Sequence, residues 1–120
     1  MTFFPQQMPP ALKSTSEFSA ALVEAGHRLV VVDFWAAWCG PCLKFAPTFE
    51  ELSATYEEGD KARFFKVEEG PMTKDVIAQN QIKAFPSFIL YLKQKEVARV
   101  SGSKGRFILW SNYSTLFFFI

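Results

Sequence analysis

Leu29-Val-Val-Val-Asp-Phe-Trp-Ala-Ala-Trp-Cys-Gly-Pro-Cys42 decides how this chain is read. Its first six residues form an apolar, β-branched run broken only by Asp33, the pattern of a strand covered on both faces. After Cys42 the period changes. Leu43, Phe45, Ala46, Phe49, Leu52 and Tyr56 recur at helical spacing, with Glu50 and Glu51 turned outward. Two cysteines therefore stand where a buried strand gives way to a helix. Unpaired N–H groups and the positive end of the helix dipole favour a thiolate at Cys39. The two intervening residues bring Cys42 back over Cys39 within the first turn, so a disulfide can close with little rearrangement. Pro41 falls in that turn, where a missing N–H costs nothing.

Working outward, Ser14-Thr-Ser-Glu17 has capping-box spacing. Phe18, Ala21, Leu22 and Ala25 continue it as a helix that Gly26 stops. Beyond the central helix, which Pro47 is expected to kink, Arg63–Val67 reads as a strand and Thr73–Asn80 as a short helix. Phe88–Leu92 and Val97–Val100 read as strands joined by a polar turn, Lys93-Gln-Lys-Glu96. The order begins as a parallel β-α-β unit and ends as an antiparallel hairpin. The fold class is α/β with a mixed sheet.

A chain of 120 residues makes one domain, taken as 1–120. Thirteen basic against twelve acidic side chains give a net charge of +1, which excludes a strongly basic nucleic-acid binder and any field steering it to anionic membranes. Two cysteines exclude a disulfide-stapled secreted scaffold. Residues 1–10 carry no charge and three prolines, which reads as an extended lead-in rather than a signal peptide. The apolar stretch Phe107–Ile120 falls short of the roughly 20 residues a spanning helix needs. The expectation is a soluble cytoplasmic protein, where a close cysteine pair is catalytic or metal-binding. Zinc is the competing reading. It needs four ligands, and His27 is the single histidine, with no second cysteine pair.

Val32-Asp-Phe-Trp-Ala-Ala-Trp-Cys-Gly-Pro-Cys42 is similar, almost letter for letter, to the active-site stretch of thioredoxins. With Pro47 and Phe85-Pro86 in order, the resemblance covers Leu12 to Gly102, about three-quarters of the chain. It implies the thioredoxin fold, a three-layer α/β/α sandwich, and a protein-disulfide reductase that works through a mixed disulfide. By position, Cys39 resembles the nucleophile and Cys42 the resolving thiol. Asp33 resembles the buried acid that moves a proton on and off Cys42, and burial should raise its pKa. Lys66 matches a lysine that some members place near this acid. Trp38 resembles the tryptophan over the active-site loop, and Trp35 a core neighbour. Gly40 and Pro41, with Phe85 and the cis-proline Pro86, would face substrate, Phe85 offering its backbone to an extended segment. The resemblance implies no bound cofactor or metal, a monomer, protein disulfides as substrates, and reduction by an NADPH-dependent thioredoxin reductase. The alternative is an adaptor domain whose redox activity is secondary or lost.

Four places depart from the family pattern. Val67-Glu-Glu-Gly70 replaces the common V-D-V-D, Gln94-Lys95 replaces an Asn-Gly turn, and Phe85 stands where small or aliphatic residues are frequent. The first two look like surface changes. The fourth is the end of the chain. Thioredoxins finish with an amphipathic helix, yet Phe107–Ile120 holds no charged residue. Phe107, Trp110, Tyr113 and Phe117 recur at 3–4 spacing, so Ser103 to about Tyr113 is expected to take the final-helix place in an atypical segment 103–120.

Overall fold

Ser14 starts the first helix. Its Oγ accepts from the Glu17 N–H at 3.1 Å, and Glu17 Oε1 reaches back to the Lys13 N–H at 2.8 Å. Helix α1 (Thr15–Ala25) ends at Gly26, whose N–H donates to the Val23 carbonyl at φ +63°, a conformation that favours glycine. The computed structural model describes residues 9–102 in full and, of the rest, the backbone of two strands, Arg106–Trp110 and Thr115–Phe119.

Strand β1 (Leu29–Trp35) leads into helix α2 (Gly40–Glu57), which returns to strand β2 (Ala62–Glu68). A 3₁₀ turn (Pro71–Thr73) and a short helix α3 (Lys74–Gln79) precede β3 (Ser87–Leu92) and β4 (Lys95–Ser101). The sheet order is β2-β1-β3-β4; β1 is parallel to β2 and antiparallel to β3, and β3 is antiparallel to β4. Pro10 and Leu12 exchange backbone hydrogen bonds of 2.9 Å with Lys66, so the end of the lead-in adds a short parallel pairing to the outer edge of β2.

Alternation along β1 assigns the two faces. Val30, Val32 and Phe34 join a cluster with α1 and Val76 of α3, while Leu29 and Val31 join Phe45 and Phe49 of α2. Helices thus cover both faces of the mixed sheet, as the sequence predicts. Helix α2 runs on through Pro47, although that residue cannot donate to the Leu43 carbonyl. Its inward stripe is Cys42, Phe45, Phe49 and Ser53. Ser53 is fully buried and its hydroxyl has no hydrogen-bond partner. Ser53→Ala is therefore expected to stabilise the fold by about 1 kcal/mol, seen as a higher urea midpoint at unchanged slope. A lower midpoint would show that the hydroxyl is satisfied after all.

Two local expectations are corrected. The β3–β4 turn is only Lys93-Gln94, both at positive φ (52° and 70°), and Lys95 and Glu96 already belong to β4. Two-residue turns of this twist match the strands better than a four-residue loop. The final segment is not the expected helix. Strands β5 (Arg106–Trp110) and β6 (Thr115–Phe119) pair antiparallel as a separate two-stranded sheet, from Arg106↔Phe119 to Trp110↔Thr115. Aromatic and β-branched residues prefer the pleated backbone to the helical one. Residues 1–8, 103–105, 111–114 and 120, including most of the lead-in, lie outside the described residues.

Candidate active site

Cys39 and Cys42 are joined as a disulfide, with Cα atoms 5.3 Å apart. Cys39 is the N-cap of α2. It is extended (φ −95°, ψ 107°), its N–H donates to the Ala36 carbonyl at 3.1 Å, and its own carbonyl accepts from the Leu43 N–H at 3.2 Å. The Cys42 N–H points at Cys39 Sγ, 3.2 Å away. This is the capping position that serine or aspartate fills in other helices, occupied here by sulfur. Exposure does not separate the two cysteines, at 4% and 3%. The hydrogen bond does. When the disulfide opens, an N–H at a helix N-terminus faces the Cys39 sulfur, where negative charge is stabilised. Cys42 lies on the inward stripe of α2. Gly40 and Pro41 fill the exposed first turn between them.

Asp33 lies two residues past Val31, on the α2 side of the sheet and toward the end of β1 from which the chain passes to Cys39. It is 3% exposed, and its Oδ1 has no hydrogen-bond partner. Burial pushes its pKa up to about 7 from 3.8, and the nearby Lys66 charge opposes the rise. Asp33 and Lys66 are direct neighbours in the parallel β1–β2 register. They form no salt bridge; the Lys66 ammonium instead lies 5.0 Å from the centre of the Trp35 ring, a cation–π arrangement. Lys66 therefore acts on Asp33 through its field rather than through contact. A carboxyl that titrates near neutrality, with a free oxygen in an apolar site, can both take and return a proton.

The Phe85–Pro86 peptide is cis, and Pro86 is buried. Phe85 packs against the cluster of Ala36, Cys39 and Cys42, so this loop abuts the disulfide. Trp35 packs there too. Trp38 is largely exposed, at 71%. Its ring stands nearly perpendicular to that of Phe85, with centroids 5.8 Å apart and planes at 86°. Its indole N–H donates to Glu69 Oε1 at 3.3 Å. Glu69 was not foreseen as a site residue. The Glu69 N–H also donates to the Trp35 carbonyl at 2.7 Å, which ties the end of β2 to the active-site loop. The available signal was position: Glu69 follows a parallel strand, and sites in such sheets gather at the strands' carboxyl ends. Among the described residues, no three His, Cys, Asp or Glu side chains gather as a metal site.

A family profile described as thioredoxin matches residues 10–112. Thioredoxin-1 of Saccharomyces cerevisiae is 40% identical over 96 residues, covering 80% of this chain and 87% of the yeast protein. Among solved structures, thioredoxin f2 of Chlamydomonas reinhardtii superposes with a TM-score of 0.70 at 37% identity, covering 79% of this chain and 84% of its own. A chain of a ferredoxin:thioredoxin reductase and thioredoxin f2 complex superposes with a TM-score of 0.72 at 28% identity, covering 79% and 83%. The profile spans the disulfide, the buried acid and the cis-proline loop together, and the solved structures repeat the fold that holds them, so the chain belongs to the thioredoxin family and is a thiol–disulfide oxidoreductase.

Proposed function

We propose that the chain works in the reducing direction, on disulfides of protein substrates, with Cys39 as nucleophile and Cys42 as resolving thiol. The observation that carries this reading is the Cys42 N–H held 3.2 Å from Cys39 Sγ. In the dithiol form, the Cys39 thiolate attacks one sulfur of a substrate disulfide. The substrate S–S bond breaks, its leaving thiolate takes a proton from solvent, and a mixed disulfide forms on Cys39. Cys42 then gives its proton to the Asp33 carboxylate and attacks Cys39 Sγ. The mixed disulfide breaks, the second substrate thiolate leaves, and it is protonated in turn. Two electrons pass to the substrate and the chain is left as the Cys39–Cys42 disulfide. The Lys66 charge opposes the effect of burial on Asp33, so part of the carboxyl is ionised near neutral pH. Trp38, Gly40, Pro41, Phe85 and Pro86 form the surface on which an extended substrate segment lies, paired with the Phe85 backbone.

Recycling requires an external two-electron donor. We assign this to a thioredoxin reductase, of the NADPH-dependent kind. A structural neighbour whose title pairs thioredoxin f2 with ferredoxin:thioredoxin reductase supports a reductase partner of the general class. We take the chain as a monomeric, cytoplasmic protein in one domain, since its dithiol form needs a reducing compartment. No helix among the described residues is long and apolar enough to cross a membrane. The test is insulin reduction driven by dithiothreitol. The chain is expected to shorten the lag before insulin chains precipitate, compared with dithiothreitol alone. A folded chain that leaves the lag unchanged would overturn the reductase reading.

A further inference from the structure

The surface beside the disulfide is built for one kind of side chain. Phe85 is half-buried, packed at once on the main core cluster and on Ala36, Cys39 and Cys42, so its ring cannot swing away. Trp38 is largely exposed but held at two points, by the Phe85 ring and by the Glu69 carboxylate. Planes at 86° with centroids 5.8 Å apart make a right-angled corner with two aromatic walls. One wall is open to solvent and the corner lies next to Cys39. Perpendicular rings of this kind receive a third apolar group well, because it meets one ring's face and the other's edge. The ordering entropy has already been spent in the free protein, since the hydrogen bond to Glu69 orients the indole before anything binds.

We infer that Phe85 and Trp38, the latter positioned by Glu69, form a specificity corner that selects disulfides with a large apolar or aromatic residue on the same face as the reacting cysteine. An extended segment places residues two positions apart on one face. The selected residue is therefore two positions from the cysteine. An acidic residue there meets Glu69 and is disfavoured. This inference rests on the reductase reading above and gives that reaction a substrate class.

The experiment uses the full chain, reduced by dithiothreitol. Its substrates are four symmetrical peptide disulfides that carry Phe, Leu, Ser or Glu two residues to either side of the cysteine. The readout is kcat/KM from free peptide released. Wild type is expected to prefer Phe and Leu over Ser by about five- to tenfold, with Glu slowest, the range that aromatic contacts supply. Phe85→Ile and Trp38→Ala should bring the Phe/Ser ratio to within about twofold. That ratio is internal to each variant, so a partial loss of folded protein cancels. Equal rates for all four peptides in wild type would overturn the inference. So would a Phe85→Ile variant that slows every peptide by one factor and keeps the ratio, which is the mark of a merely structural role. A wild-type chain that reduces none of the four overturns the reductase reading itself, and this inference with it.

Discussion

Cys39→Ser is expected to abolish insulin reduction, by at least about a thousandfold, because the group that starts the reaction is gone. Cys42→Ser is expected to stop turnover just as fully but to leave a different trace. Its Cys39 thiolate still attacks, nothing resolves the mixed disulfide, and substrate stays covalently attached. Mixed with a disulfide-bearing protein and run on a non-reducing gel, Cys42→Ser should show a new band that dithiothreitol removes. Cys39→Ser should show none. The asymmetry follows from one contact. The two cysteines are almost equally buried, but the Cys42 N–H is aimed at Cys39 Sγ across 3.2 Å. A serine at position 42 keeps that backbone donor, whereas a serine at position 39 removes the sulfur it serves. The reverse result, bands with Cys39→Ser and none with Cys42→Ser, would reverse the assigned roles.

Much of this site could be read before the fold was known, because its parts are local. The apolar run Leu29–Phe34 can only be a covered strand, and β1 is buried on both faces. A cysteine at the following helix start has its electrostatics set by backbone geometry that no distant residue alters. The placement of Asp33 also follows locally, since alternation within β1 puts it on the α2 face. Glu69 was hidden for the opposite reason. In sequence it is one of two adjacent glutamates after a strand, which reads as solvated surface. Only the parallel pairing of β1 with β2 brings it beside Trp35 and Trp38. The pairing of Pro10 and Leu12 with Lys66 was hidden in the same way, because it joins residues more than fifty positions apart. The end of the chain misled through its period. Phe107, Trp110, Tyr113 and Phe117 fit a helical stripe, but a short apolar run fits either period, and the residues of β5 and β6 are strand formers.

Asp33→Asn should separate what this carboxyl does for the reaction from what it costs the fold. In the native chain burial raises its pKa to about 7, from 3.8, which corresponds to roughly 4 kcal/mol of preference for the protonated form. The sign follows from proton binding. Below about pH 4 the group is protonated in both states and contributes no slope. Between about pH 4 and 7 the unfolded chain gives up the proton while the native chain keeps it, so wild-type stability falls as pH rises. Above about pH 7 both states are ionised and the loss is complete. Asparagine carries no such charge. The variant should lie about 1–2 kcal/mol below wild type near pH 4, because a buried amide keeps its own unmet hydrogen bonds at every pH, and exceed it by about 2–3 kcal/mol at pH 8. Urea unfolding at the two pH values measures this directly. Kinetically the same change should slow resolution of the mixed disulfide at pH 7 by about a hundredfold, and should erase the rise in rate through pH 7 that is expected of wild type. A variant that gains stability yet resolves mixed disulfides at the wild-type rate and pH profile would make Asp33 a buried burden on the fold and would take it out of the proton path.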